Sequence, residues 1–147
     1  MDNKNILSTR RQALGLLSTV FGSGLILNPS AEAHGKDEDV KVNPLFQKEL
    51  AGHEGEQVSM TLVTYPPGTS SKPHKHHGPV FVYVVEGAVD LQVKGGPLTT
   101  VQAGGTFYEA PGDVHVVSRN ASKTKPAKLL AFIVGKTGTP VTEPASE

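Results

Sequence analysis

The sequence predicts an all-β fold, either a sandwich or a barrel of short strands. The chain of 147 residues contains 16 Gly and 11 Pro, and 37% of its residues are hydrophobic, which suits one compact, turn-rich domain. From residue 58 onward, short apolar or alternating segments are separated at regular intervals by Gly and Pro. Many short strands punctuated in this way are typical of all-β architectures.

The predicted strands follow one another through residues 58–134. They lie at residues 58–65, 80–85, 88–94, 99–103, 107–108, 114–118 and 129–134. The first alternates and stops at a Pro-Pro-Gly turn, the second is apolar on both faces, and the third alternates strictly. We expect the interior to be lined by the following apolar side chains or their strand neighbours: Met60, Leu62, Val82, Val84, Leu91, Phe107, Val117 and Phe132.

The segments on either side of the predicted barrel (residues 58–135) carry weaker signals. Residues 34–57 form an N-terminal arm, in which 34–44 is charged and predicts a flexible or edge segment, whereas 45–50 predicts one short helical turn. Residues 136–147 form a Thr- and Pro-rich C-terminal tail.

Residues 1–33 have the layout of an export signal. A charged start is followed by an apolar stretch at 13–27 and by the small-x-small cleavage sequence Ala31-Glu32-Ala33. The pair Arg10-Arg11 resembles a twin-arginine signal, and the alternative is an ordinary secretory signal that carries two arginines. We expect cleavage near Ala33 and a periplasmic or secreted mature protein.

Composition and charge exclude several partners. The formal net charge is zero, so no basic field favours nucleic acid or an anionic membrane surface. Gly22, Gly24 and Pro29 interrupt the apolar stretch of the signal, so it predicts no stable membrane anchor, which needs ~20 apolar residues. The chain has no Cys, which excludes disulfides, thiolate ligands and a Cys nucleophile.

Three histidines are candidate metal ligands. His74 and His76 are separated by one residue in a segment expected to be extended, so both side chains lie on one face and Lys75 on the other. Two neighbouring imidazoles are stable together when they are neutral and share a cation. His115, in a predicted strand after a Pro-Gly-Asp turn, is the candidate third ligand. The His-x-His pattern alone is a weak signal.

Around these histidines the chain resembles the cupin superfamily. Gly68, His74, His76 and Gly87 fall on positions of the first cupin motif, and Gly104, Gly112 and His115 on positions of the second. Pro111 is shifted by one place and Asn120 comes one residue late. The resemblance covers about residues 58–134. It implies a cupin-type β-barrel, which is a jelly-roll-like double-stranded β-helix, with a metal or a small ligand near its mouth.

One departure from the motif concerns the metal. The glutamate of the first motif is replaced by Val80, or by Phe81 on the longer spacing. The resemblance therefore implies a three-His variant in which His74, His76 and His115 hold one divalent ion, which is Fe, Mn, Zn, Cu or Ni. Because a neutral triad leaves both charges of the cation uncompensated, we expect its open positions to favour an anionic or enolate ligand.

Other titratable residues have smaller roles in this prediction. Glu109 is either an acceptor that orients a ligand imidazole or an ordinary solvated carboxylate. His77 faces away from His74 and His76 on strand parity, so it is either a surface residue or an outer partner of the site. His34, as the mature N-terminus, could chelate copper through its amine and ring, although a His after a cleavage site also arises by coincidence.

Two classes of function fit these observations. The first is a dioxygenase-like enzyme, in which a three-His metal leaves open positions for dioxygen and a small substrate. The second is a non-catalytic periplasmic protein that binds a metal or a small ligand. A metal-free isomerase would need an acid–base pair, for which Glu109 and one histidine are the candidates. In each case the partner is a small molecule, and we expect a homodimer.

Overall fold

The computed structural model describes residues 39–146 of the chain. The predicted export signal and His34 lie outside the described residues. The strands are β1 (Lys41–Glu49), β2 (Glu56–Tyr65), β3 (His74–Lys75), β4 (Val80–Glu86), β5 (Ala88–Val93), β6 (Thr99–Gln102), β7 (Thr106–Glu109), β8 (Val114–Asn120), β9 (Ala127–Lys136) and β10 (Glu143–Pro144). No helix long and apolar enough to cross a membrane occurs in residues 39–146.

The strands form two antiparallel five-stranded sheets, which confirms the prediction of an all-β fold. The first sheet has the order β1-β2-β9-β4-β7 and the second β10-β3-β8-β5-β6. Gly87 joins the sheets between β4 and β5 with a φ of 71°, and a Cβ there would lie 2.6 Å from the carbonyl oxygen of Pro126. The motif glycine is therefore required both by its left-handed backbone and by the close approach of a neighbouring chain segment.

The hydrophobic core lies between the two sheets. Val82, Val84 and Leu129 of the first sheet contribute to it, together with Val89 and Leu91 of the second. Strand β4 alternates, with its even-numbered residues from Val80 to Val84 buried and its odd-numbered residues exposed. The core therefore follows the period-2 rule in this strand.

Met60 of β2 and Phe132 of β9 lie outside the core. Met60 and Phe132 are Cα partners in the register and neither is among the buried core residues, whereas the adjacent Thr61 and Ala131 are buried. Leu62 lies on the same outer side as Met60, and Val117 is only partly buried beside the buried Ser118. At these four positions the side chain of an adjacent residue in the strand faces the interior instead. In β2 the inward side chains are small and polar because they border a cavity.

The arm and the tail also contribute strands. β1 pairs with β2 over the length of the arm segment 41–49, so the helical turn expected at 45–50 is wrong. Pairing with β2 stabilises an extended backbone there, and Pro44 is tolerated because an edge strand has a neighbour on only one side. In the tail, Glu143–Pro144 pairs with His74–Lys75. This second contact places the tail beside the candidate site.

Candidate metal centre

Strand pairing brings His115 next to His74. The two residues are Cα partners between β3 and β8, so their side chains are neighbours on one face of the second sheet. Their ring centroids lie 5.2 Å apart, and the ring of His76 lies 5.1 Å from that of His74. His76 and His115 are buried, with 7% and 3% of their surface exposed. The three histidines singled out from the sequence therefore form one cluster.

Hydrogen bonds orient these imidazoles. Nδ1 of His74 donates to the carbonyl of Lys72 at 2.9 Å, and Nδ1 of His76 donates to the carbonyl of Val141 at 2.5 Å. Because a carbonyl only accepts, Nδ1 carries the proton of each neutral ring and Nε2 keeps its lone pair. The sequence gives no sign of the Val141 contact, since any residue type supplies the same backbone carbonyl.

The third imidazole meets a carboxylate. Nδ1 of His115 lies 3.2 Å from Oε1 of Glu109, a residue of β7 with 2% of its surface exposed. Nε2 of His115 and Oε2 of Glu109 are buried and have no hydrogen-bond partner among the described residues. Buried polar atoms without a hydrogen-bond partner are uncommon in proteins, and a functional role such as ion binding is one explanation for them.

These residues fit a divalent metal ion. Imidazoles that share a cation at bond lengths near 2.1 Å have ring centroids about 4.5–5.2 Å apart, and the measured separations of 5.1 and 5.2 Å agree with that requirement. Within residues 39–146, no three His, Asp or Glu side chains already converge on a common coordination point. A cation shared by these groups would therefore require their side chains to move from the described positions.

The protonation of the cluster suits a cation. Burial lowers the pKa of His74, and the nearby rings of His115 and His76 lower it further, against the opposing effect of its hydrogen bond to Lys72. Burial raises the pKa of Glu109, but the hydrogen bond from His115 and the three imidazoles together outweigh burial, so the net pKa lies below its ordinary value. A neutral His74 and an ionised Glu109 are the forms that bind metals.

His77 lies apart from this cluster. Its Nε2 contacts Oε1 of Glu143 in β10 at 2.8 Å, and its side chain is 41% exposed. His77 therefore contacts the tail strand at the surface. Its partner Glu143 also lies 3.6 Å from Nζ of Lys75, so these surface charges join β10 to β3.

A cavity of about 600 Å³ adjoins the cluster. Its polar part includes the three imidazoles and a hydroxyl group that the sequence analysis missed, that of Tyr65, which lies 2.6 Å from Oγ of Ser118 and 2.9 Å from Oγ of Ser71. Its apolar walls include Val82, Leu129 and Ile133. Burial is the largest of the causes that raise the pKa of Tyr65, so its phenol stays protonated.

A family model, described as the cupin domain, matches residues 61–133. The chain carries a small cupin domain. The matched segment begins in β2 and ends in β9, so it contains all three clustered histidines. No curated protein sequence matches the chain significantly.

The cupin is similar in fold to several solved structures. The DMSP lyase DddQ from Ruegeria pomeroyi DSS-3 matches with a TM-score of 0.59 and 17% identity, over 72% of this chain and 51% of that one. The chain thus spans about half the length of that lyase. A cupin domain from Bordetella pertussis matches at 0.53 and 20% identity, over 68% and 97%. A recombinant oxalate oxidase in complex with glycolate matches at 0.55 and 24% identity, over 75% and 57%.

Proposed function

We propose that this cupin is an exported, metal-dependent enzyme of the dioxygenase type that acts on a small molecule. In this proposal His74, His76 and His115 hold one divalent cation. The observation that supports it is the position of the imidazoles on the wall of a cavity of about 600 Å³, a volume within the range of small-molecule sites. Storage of a metal alone would not need such a cavity.

A bound cation would supply open positions at which dioxygen and an oxygen group of the substrate meet. A dioxygenase places both oxygen atoms in its product and takes the electrons from the substrate, so it needs no external reductant. Zinc has no redox chemistry, so among the metals that imidazole accepts the proposal favours iron, manganese, copper or nickel.

The chain's own residues would orient the substrate. The protonated phenol of Tyr65, held by Ser118 and Ser71, is placed to donate to a substrate oxygen. The apolar walls formed by residues such as Leu129 and Ile133 exclude water from the body of the molecule. The substrate class is therefore a small compound with an apolar body and an acidic or enolisable oxygen group. The oxalate oxidase complex with glycolate gives a small-acid precedent in the same fold.

A non-catalytic binding protein is the second candidate. It is favoured by the hydroxyl group of Tyr65, which is hydrogen-bonded to the hydroxyl groups of Ser71 and Ser118. Because these hydroxyl groups already have partners, none of them is a free acid or base. In this case the cavity would hold a small ligand beside the metal without converting it.

One experiment separates the two candidates. Elemental analysis of the mature protein recovered from its native compartment should give one divalent ion per chain. The purified protein is then offered a panel of enolisable dicarbonyls and small organic acids while dioxygen consumption is followed. We expect uptake that matches substrate loss and is absent from His74→Ala but retained in His77→Ala. Ligand binding without dioxygen uptake would favour the binding protein.

Export and self-association complete the proposal. N-terminal sequencing of the mature protein should read His-Gly-Lys-Asp, and replacing Arg10-Arg11 by Lys-Lys should block export by the twin-arginine route. A mature form that retains residues 10–27 would contradict export.

The proposed homodimer uses the outer face of the first sheet. A row of aligned side chains crosses it, and Phe81 and Tyr108 of this row are 50% and 54% exposed. Phe132 and Met60 extend the row across the register. A two-fold partner would cover this apolar row with its own copy.

A further inference from the structure

We infer that Glu109 is the carboxylate ligand of the proposed metal, supplying from β7 the group that cupins carry at the motif position occupied here by Val80. The inference rests on the metal site of the proposed function and changes its composition from three imidazoles to three imidazoles and one carboxylate. Four observations carry it.

The first observation is the strand register. Val80 in β4 and Glu109 in β7 are direct Cα partners, and their exposed fractions are 1% and 2%. Side chains of direct partners in an antiparallel pair lie on the same face with Cβ atoms about 4.5–5.5 Å apart. A carboxylate at 109 therefore reaches the same part of the interior as one at 80, although 29 positions separate them in the sequence.

The second observation is an unpartnered oxygen. Oε2 of Glu109 is buried and has no hydrogen-bond partner among the described residues, while Oε1 faces His115. A buried carboxylate oxygen without a donor costs free energy, so native structures seldom retain one without a function. A cation would satisfy this oxygen.

The third observation is the spacing between lone pairs. Nε2 of His76 lies 3.9 Å from Oε2 of Glu109, and the proton of that imidazole is on Nδ1, which donates to Val141. Two acceptor atoms therefore face each other inside the protein. With metal–ligand bonds near 2.1 Å, a single cation between them would span about 3.0–4.1 Å. The observed separation falls within that range.

The fourth observation is the charge of the surroundings. Glu109 and Lys72 are the two Asp, Glu, Lys or Arg residues that line the cavity beside the imidazole cluster, and Lys72 is exposed. A divalent ion held by three neutral imidazoles and one carboxylate has a net charge of +1 rather than +2. Such a set accommodates a hard cation such as Mn²⁺ better than three imidazoles do, because carboxylate oxygen suits manganese and imidazole alone suits copper or zinc.

Glu109 has one alternative role, that of an acceptor that only orients His115. An outer hydrogen-bond partner of this kind changes metal affinity by about 10–100-fold and acts through the imidazole, so its loss weakens all metals alike. A ligand carboxylate acts on the metal directly, so its loss weakens the metals that prefer oxygen most. The Glu109→Gln variant keeps an acceptor for His115 but removes the charge.

The test measures Mn²⁺ and Cu²⁺ affinities of the full chain by competition with a chelator. We expect Glu109→Gln to lose at least tenfold more affinity for Mn²⁺ than for Cu²⁺, while Glu86→Gln, on the exposed end of β4 where Glu86 pairs with Lys128, changes neither. Equal losses for the two metals, or no loss, would overturn the inference in favour of the orienting role.

A carboxylate exchange provides the second measurement. The double variant Val80→Glu/Glu109→Val returns the carboxylate to the motif position and keeps the total side-chain content of the pair. It should recover Mn²⁺ affinity to within about tenfold of the wild type, because the carboxylate still reaches the cation. A folded double variant that binds Mn²⁺ no better than Glu109→Gln would also overturn the inference.

These outcomes are distinct from failure of the proposed function. If the wild type binds neither Mn²⁺ nor Cu²⁺, or if His74→Ala binds both as the wild type does, the metal site itself is wrong. If His74→Ala abolishes binding and Glu109→Gln affects both metals equally, the metal site stands and only the role of Glu109 is wrong.

Discussion

Two regions of the first sheet depart from the usual polarity of a sandwich. Its inner side carries the buried polar residues Ser59 and Thr61 of β2, whereas its outer side carries the half-exposed aromatic residues Phe81 and Tyr108. In an ordinary sandwich the polar residues would face water and the aromatic residues the core. Here the inner side borders a cavity that contains a polar site, and the outer side is an apolar surface suited to a partner.

This comparison shows that the polarity of the side chains on each face depends on what that face contacts, whether a cavity, the core or solvent. A half-exposed aromatic side chain leaves about 100 Å² in water, so covering it contributes about 2 kcal/mol. Ser59 and Thr61 lie along the cavity, where small polar side chains leave room and offer hydroxyl groups to a ligand. The following variants test each face separately.

The largest effect is expected at the inner face from Val80→Glu. Val80 is 1% exposed and directly opposite Glu109, so the variant buries two carboxylates side by side. The free energy of unfolding without metal should fall by on the order of several kcal/mol, and added Mn²⁺ should restore part of the loss. Denaturant unfolding with and without Mn²⁺ measures both. Leu98→Glu, at a 50% exposed position, is the control, and equal stability of the two variants would contradict the inner placement of Val80.

The next effect is the loss of metal affinity in single histidine variants. His74→Ala or His115→Ala should each lower affinity at least about a hundredfold, since a site with one imidazole fewer holds a divalent cation poorly. His77→Ala is the matched control, because that ring pairs with Glu143 outside the cluster. Metal content after dialysis is the measurement. Equal losses in all three variants would mean that His77 belongs to the site.

A smaller effect is expected at the outer face from Phe81→Lys. This side chain is 50% exposed and lies 5.3 Å from the ring of Tyr108, in the middle of the apolar row. A buried lysine should weaken the proposed homodimer by about 10–100-fold without changing metal content. Light scattering across a dilution series measures the association. A wild type that is monomeric at every concentration, or a variant with unchanged association, would rule out this interface.

The smallest effect is a gradual dependence of metal affinity on pH. Protons compete with the cation for the imidazoles, so affinity should fall as pH drops below about 6.5, with a slope up to about tenfold per unit for each ligand protonated. Because the pKa of His74 is lowered, protonation of His74 reduces the metal affinity only at a lower pH than an ordinary imidazole would. For the metal-free protein the unfolded chain binds more protons at His74, so stability also declines as pH falls through this range. Titration of Zn²⁺ at several pH values checks the first statement, and an affinity independent of pH would contradict imidazole ligation.

The sequence by itself determined the fold class and the cluster of three histidines. Period-2 alternation, Gly and Pro spacing and the motif positions of His74, His76 and His115 are local or one-dimensional features, so they can be read without coordinates. Strand parity predicted His77 on the side opposite His74 and His76. The same parity was ambiguous for Met60 and Phe132, because an apolar residue on the outer face of a sheet looks in the sequence like a core residue.

The tertiary structure alone decided which groups surround the histidines. The pairing of Val80 with Glu109 and of His74 with His115 depends on the register of strands that are distant in the chain. The strand at Lys41–Glu49, which the sequence predicted partly as a helical turn, forms because β2 offers a free edge. The acceptor for His76 is a backbone carbonyl of the tail, which no residue pattern encodes. These features depend on contacts between segments that are distant in the sequence. Hydrogen bonding between strands determines which residues become neighbours, and the sequence separation of those residues does not reveal it.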